Sequence, residues 1–149
     1  MAGLIVAVRS RGPVSYVPAP GCIVVCGYWN HWPCVFPQHG PGRKHERELT
    51  LEPWQQTIVD AHPAAFLRGL FHSDGCRVDN WVIRQVAGEA KRYNYGRWQF
   101  VNHSTDIQGF CTDALDRLAI PWRRSSWRTI SVSRREGVAR LDALIGRKS

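Results

Sequence analysis

The prolines of this chain divide it in two. Pro13, Pro18, Pro20, Pro33, Pro37 and Pro41 crowd residues 1–49, with glycines between them, and only Pro53, Pro63 and Pro121 follow. A ring-locked φ and a missing N–H keep a segment so punctuated out of long helices and central strands. Residues 1–49 therefore read as an irregular N-terminal arm, with an apolar patch at 22–26 that suits a short strand and no self-sufficient core. The basic run at 36–45 (FPQHGPGRKH) fits an arm laid on phosphate and fits a linker equally well.

From Thr50 onward the pattern is that of regular elements. Thr50 is placed to cap a first helix carrying Leu51, Trp54, Ile58 and Val59 at helical spacing. Pro63 opens a second, with Phe66, Leu67, Leu70 and Phe71 on one face and Gly75 as its stop. Strands are expected near 78–87 and 97–102, joined by the loop GEAKRYNYG. Ser104 caps the most regular helix, whose apolar face is Ile107, Phe110, Cys111, Ala114, Leu115, Leu118 and Ala119 until Pro121 prevents its continuation. Two short strands near 122–125 and 127–132 lead to a capping-box pair, Ser133 and Glu136. The last helix buries Val138, Leu141, Leu144 and Ile145 and closes at Gly146. From Pro63 the expected order is α-β-β-α-β-β-α, a mixed α+β domain over residues 50–146.

Of the 149 residues 44% are hydrophobic, including 7 Trp, 5 Phe and 4 Tyr, which supplies a core and excludes a wholly disordered chain. No apolar run approaches the ~18 residues of a membrane span. The opening MAGLIVAV is too short for a signal peptide and lacks the basic lead-in. Five cysteines without a leader point to reduced thiols and a cytoplasmic setting. Cys22, Cys26, Cys34, His31 and His39 do not form paired Cys-x-x-Cys knuckles, so zinc is not expected.

Charge says more about partners. The chain carries a net +8, of which residues 1–75 hold +1 and residues 76–149 hold +7. Apart from Lys44, Lys91 and Lys148 the basic residues are all arginines. The planar fork of Arg matches phosphate and guanine edges, and such a surplus suits a polyanion. Plain solvated charge is the alternative reading at this level.

Asp74 is the residue whose position needs a reason. It falls in the last turn of the second helix, where the macrodipole makes a carboxylate cost about 0.3–1 kcal/mol. A bound cation would offset that cost; exposure to water, or pairing with Arg77, is the simpler account. The run Leu67-Arg68-Gly69-Leu70-Phe71-His72-Ser73-Asp74-Gly75 resembles the signature of the LAGLIDADG (dodecapeptide, DOD-type) homing endonucleases at Leu67, Gly69, Leu70, Phe71, Ser73, Asp74 and Gly75. The α-β-β-α-β-β-α order behind it is that family's core order. Position 72 is His where the signature usually carries an acid, and position 68 is Arg where a small residue is usual.

The resemblance implies a fold, a reaction and a partner. The fold is a four-stranded antiparallel saddle sheet lying across the major groove of double-stranded DNA. A single signature implies a homodimer, with the signature helices in contact through Leu67, Gly69, Leu70 and Ser73. Asp74 would be the catalytic residue and, with the carbonyl of Ser73, would hold Mg²⁺ for site-specific phosphodiester hydrolysis. Arg77, Arg84, Lys91, Arg92, Arg97, Arg123, Arg124 and Arg128, in or beside the expected strands, are the expected DNA contacts. Arg123, Arg124 or Arg128, with Lys91 more distant, would stand in for the basic residue the family keeps near its metals. Trp81, Tyr93, Tyr95, Trp98, Trp122 and Trp127 are expected to pack in or under the sheet. A non-cleaving DNA-binding regulator on the same scaffold is the alternative, and a part of a longer regulator is a third reading.

Overall fold

The computed structural model describes residues 13–146, so the opening MAGLIVAV and Lys148 lie outside the described residues. The chain divides after Gly40 into two compact units. In the first, β1 (Val14–Ala19) and β2 (Cys22–Gly27) form an antiparallel hairpin, where an irregular arm was expected. Its two-residue turn is Pro20 and Gly21, the latter at φ +75°, a conformation glycine adopts without strain. Pro18 is tolerated because a two-stranded ribbon has only edge strands. After the hairpin, α1 (Trp32–Val35) is a single turn. Trp32 packs edge-on against Trp29 at 5.4 Å and donates its indole N–H to the Gly27 carbonyl at 2.9 Å.

The second unit begins at Pro41, not at residue 50. Leu49 explains the earlier boundary, since its side chain is buried and its N–H donates to Asp106 at 2.8 Å. A 3-10 turn (Lys44–Glu46) precedes α2 (Pro53–Ala61), α3 (Pro63–Asp74), β3 (Gly75–Val86), β4 (Glu89–Val101), α4 (Thr105–Arg117), β5 (Arg123–Ser126), β6 (Thr129–Val132) and α5 (Arg135–Ile145). The unit is therefore mixed α+β, with a four-stranded antiparallel sheet in the order β3-β4-β6-β5. From Pro63 the element order is the expected α-β-β-α-β-β-α.

Several local expectations change. Helix α2 is capped by Glu52 in a reciprocal box with Gln55, not by Thr50. The segment GEAKRYNYG is strand from its second residue on, not loop: β3 and β4 meet through Ala87 and Gly88 alone, both at positive φ (54° and 85°). That is the backbone twist a two-residue hairpin turn requires. Ser104 caps α4 as expected, accepting from the Ile107 N–H at 3.4 Å, whereas α5 starts from Arg134 without a side-chain cap.

The core lies between one face of the sheet and α3, α4 and α5. Leu67 and Phe71 from α3, Trp98 and Phe100 from β4, Leu115 from α4, Ile130 and Val132 from β6, and Leu141 from α5 are completely buried. Phe71 meets Trp98 edge-on at 5.6 Å and Phe100 at 5.7 Å. Among the described residues no helix is long and apolar enough to cross a membrane.

Candidate nucleic-acid interface and carboxylate site

The strand register sorts the expected DNA contacts by face. Arg77 pairs with Trp98 and Asp79 with Gly96 in the β3–β4 ladder, so these residues share the helix-covered side with the buried Trp98 and Phe100. Arg77 is accordingly a structural cation and not a free DNA contact. Its Nε donates to Asp142 on α5 at 2.8 Å and its Nη1 donates to Asp79, and these two carboxylates raise its already high pKa. The Trp98 indole donates to the same Asp142 at 2.8 Å. Gly96 makes room for this: a Cβ there would stand 2.5 Å from the Arg77 guanidinium.

Two further arginines of the expected set lie on the helix side of the sheet. Arg92 lies on the helix side of the ladder, its guanidinium 5.0 Å above the Trp81 ring and its Nε donating to Asn94 at 3.1 Å. Arg124 faces Ile130 across the β5–β6 ladder and turns into the covered side, where it donates to the buried Gln108 and to the Trp127 carbonyl.

Arg84, Lys91, Arg97 and Arg123 occupy the other face, opposite the one on which the core helices pack. Arg84 and Lys91 are directly opposed, and Arg97 has the Asn80 amide at 3.2 Å. Arg84 and Arg123 line one depression of about 520 Å³ with Val82, Tyr93 and Tyr95. The expectation that the aromatics are packed away holds for Trp98 alone among the fully buried rings. Trp81, Tyr93, Tyr95 and Trp127 are 57%, 46%, 42% and 65% exposed: Trp81 lies where the β3–β4 ribbon runs beyond the helices, Tyr93 and Tyr95 are on the face opposite the core, and Trp127 sits in the β5–β6 turn. Trp122 is half-buried and donates to Asp116 at 2.7 Å.

At the end of α3 the chain builds a carboxylate site. Asp74 is half-buried, with Oδ1 accepting from the Ser73 hydroxyl at 2.9 Å and Oδ2 from the Asn102 amide at 2.6 Å. Asn102 cannot be turned around, since its Oδ1 accepts from the Ser104 N–H at 2.8 Å and a backbone N–H only donates. Its own N–H donates to the Arg128 carbonyl at 3.0 Å, and its carbonyl accepts from Gln108 at 2.8 Å. One buried amide thereby ties Asp74, the N-terminus of α4 and the β5–β6 turn together. Beside Asp74 opens a pocket of about 300 Å³, lined by His45, Asp74, Val101, Asn102 and His103.

Arg128 belongs to this end of the molecule. Its Nη1 lies 3.3 Å from Nε2 of His103, and since a guanidinium only donates, that nitrogen is the acceptor and the ring proton sits on Nδ1. Asp74 has no cation partner among the described residues, and no three His, Cys, Asp or Glu side chains there form a metal-binding group.

On α3 the structure separates residues the signature groups together. Leu67 is committed to the protomer's own core and is withdrawn as a contact between helices. Gly69 and Ser73 are exposed one turn apart, Leu70 is half-buried, and Arg68 is exposed. His72 has a local partner, the Ile145 carbonyl at the end of α5, at 3.1 Å. The residues that sequence reasoning missed are His45, Asn102 and His103. Asn102 was signalled only by its place two residues before the Ser104 cap, and the histidines by nothing in their spacing. No family model matches the chain, and no curated protein matches it.

Proposed function

We propose that this chain binds double-stranded DNA and cuts it site-specifically as a Mg²⁺-dependent homodimer, in the manner of the LAGLIDADG homing endonucleases its signature resembles. One observation carries the reading: a sheet face bearing Arg84, Lys91, Arg97 and Arg123, with a carboxylate held by neutral donors at the end of α3. Strand side chains on such a face are spaced to follow a groove, and the four cations supply sequence-independent attraction to phosphate.

The donor set at Asp74 fits Mg²⁺, a hard cation that takes one or two carboxylates and completes its shell with waters and substrate phosphates. Each oxygen of Asp74 accepts one hydrogen bond from a neutral donor, which leaves acceptor capacity on both. The ion would supply an activated water and neutralise charge on the leaving oxygen. The chain's own contribution is to hold the carboxylate by Asn102 and to set Arg128 against His103, which lines the same pocket.

Gly69 supports the homodimer. A mid-helix glycine costs about 1 kcal/mol relative to alanine, yet a Cβ at this position would meet nothing within 4 Å in its own protomer. A neighbouring helix approaching closely gives that glycine a reason. The non-cleaving regulator is favoured by one observation: both Asp74 oxygens already have partners.

A random duplex library, incubated with Mg²⁺ or Ca²⁺, tests the reading on wild type and Asp74→Asn. Cuts that require Mg²⁺ and vanish in the variant are expected, with binding retained and weakening steeply in salt. Salt-sensitive binding indifferent to metal and variant, without cuts, supports the regulator. Loss of any salt-sensitive binding overturns both.

A further inference from the structure

We infer that the pocket beside Asp74 is an anion seat in which His45 and His103 take the oxygens of a phosphate group. That this phosphate is a phosphodiester of duplex DNA rests on the nuclease reading above; the seat itself rests on the pocket's chemistry. Asp74 is acceptor-only, Val101 is apolar, and the Asn102 amide is engaged on both its oxygen and its nitrogen. The side-chain donors left among the lining groups are the two imidazoles and the second N–H of the Asn102 amide.

Their rings are held in place. His45 and His103 stand 5.5 Å apart, and the other side of His103 meets the Trp127 ring edge-on at 5.1 Å. Arg128 lies over Trp127 at 5.9 Å and also contacts His103 Nε2, which leaves the Nδ1–H of His103 as its donor. The charges facing the histidines are mixed. Glu46 is 3.8 Å from His45 Nε2 and Asp74 lines the same pocket, so an anion is repelled by both. Arg128 opposes that repulsion from the side of His103. A divalent ion on Asp74 would add to it, so binding of phosphate and of Mg²⁺ should reinforce one another.

The test uses the full chain and follows the imidazole signals by NMR during titration with inorganic phosphate, then with a short duplex, each with and without Mg²⁺. His45→Phe and His103→Phe keep the ring contacts and remove the N–H donors; His103→Gln returns a donor. Phosphate is expected to shift both imidazoles, and the double Phe variant to bind it at least tenfold more weakly. In cleavage assays His103→Phe should lower kcat at least tenfold while changing duplex Kd less than twofold, and His103→Gln should restore part of kcat. Imidazole signals unmoved by phosphate and duplex alike, or a His103→Phe protein of wild-type kcat, overturn the seat even where the nuclease reading survives. Phosphate binding lost in the Phe variants, with no duplex cut under any condition, supports the seat and rejects the nuclease. A response to inorganic phosphate and none to duplex assigns the seat to a free phosphate.

Discussion

Two parts of the same side of the sheet have opposite fates. Trp98 and Phe100 have no exposed surface, whereas Trp81 and Ile83, on the same side of the β3–β4 ladder, are 57% and 54% exposed. The strands are continuous and the alternation is unbroken. What differs is the cover: the helices pack over the base of the ribbon and stop short of its tip. Burial here is decided by what lies above a residue and not by the side it faces. The same division applies to cations. Arg77 at the base is tied to Asp142 and Asp79, while Arg84 and Lys91 toward the tip face away from the core.

The sharpest way to break this comparison is to truncate a ring in each part. Trp98→Ala should lose about 3–5 kcal/mol in urea unfolding, the cost of an uncollapsed cavity, and Trp81→Ala about 0.5 kcal/mol, as for an exposed site. Comparable losses would mean that the tip is covered. Asp142→Ala comes next, at about 2–3 kcal/mol, because it removes one of the two carboxylates on Arg77 and leaves the Trp98 N–H without its acceptor.

The two sets of cations separate in a salt titration of duplex binding. Each Ala substitution at Arg84, Lys91, Arg97 or Arg123 should lower the slope of log K against log salt by about 1 and leave the unfolding midpoint unchanged. Arg77→Ala should lower the midpoint and leave the slope alone. Cysteine labelling gives the mildest contrast. Cys76 is exposed, while burial pushes the Cys111 thiol up to about 12, so iodoacetamide should modify Cys76 and spare Cys111 until the protein unfolds. Bound duplex should protect Cys76, which lies on the uncovered face. A raised thiol pKa favours the folded state while the group stays protonated. That contribution is complete below the ordinary value of 9.0 and is lost as pH climbs towards 12.

Much of the fold was legible where one local rule acted alone. Pro63 and Gly75 bracket α3, Ser104 caps α4, and most of the periodic apolar residues of both helices lie in or against the core. Ala119, by contrast, is exposed beyond the end of α4 at positive φ, and Phe110 stays outside the core cluster. Reading went astray where two rules competed. The ribbon looked like a loop because KRYNY lacks aliphatic residues, although tyrosine and alternation both favour a strand. Arg84 shares its parity with Val78 and Val82, and a face mixing arginine with valine cannot be assigned until its cover is known.

The amino-acid order alone determined the α-β-β-α-β-β-α succession from Pro63, the place of Asp74 at a helix end and the basic excess of the second half. These follow from nearest-neighbour chemistry: ring-locked prolines, capping side chains and apolar residues at fixed spacing. Tertiary structure alone decided which arginines are committed and which are available, that Asn102, His103 and His45 gather around Asp74, and that Arg128 stands against His103. Those residues come from four separate stretches of chain, and only the antiparallel pairing of β4 with β6, together with the turn before α2, brings them to one place. No spacing along the sequence encodes such a meeting.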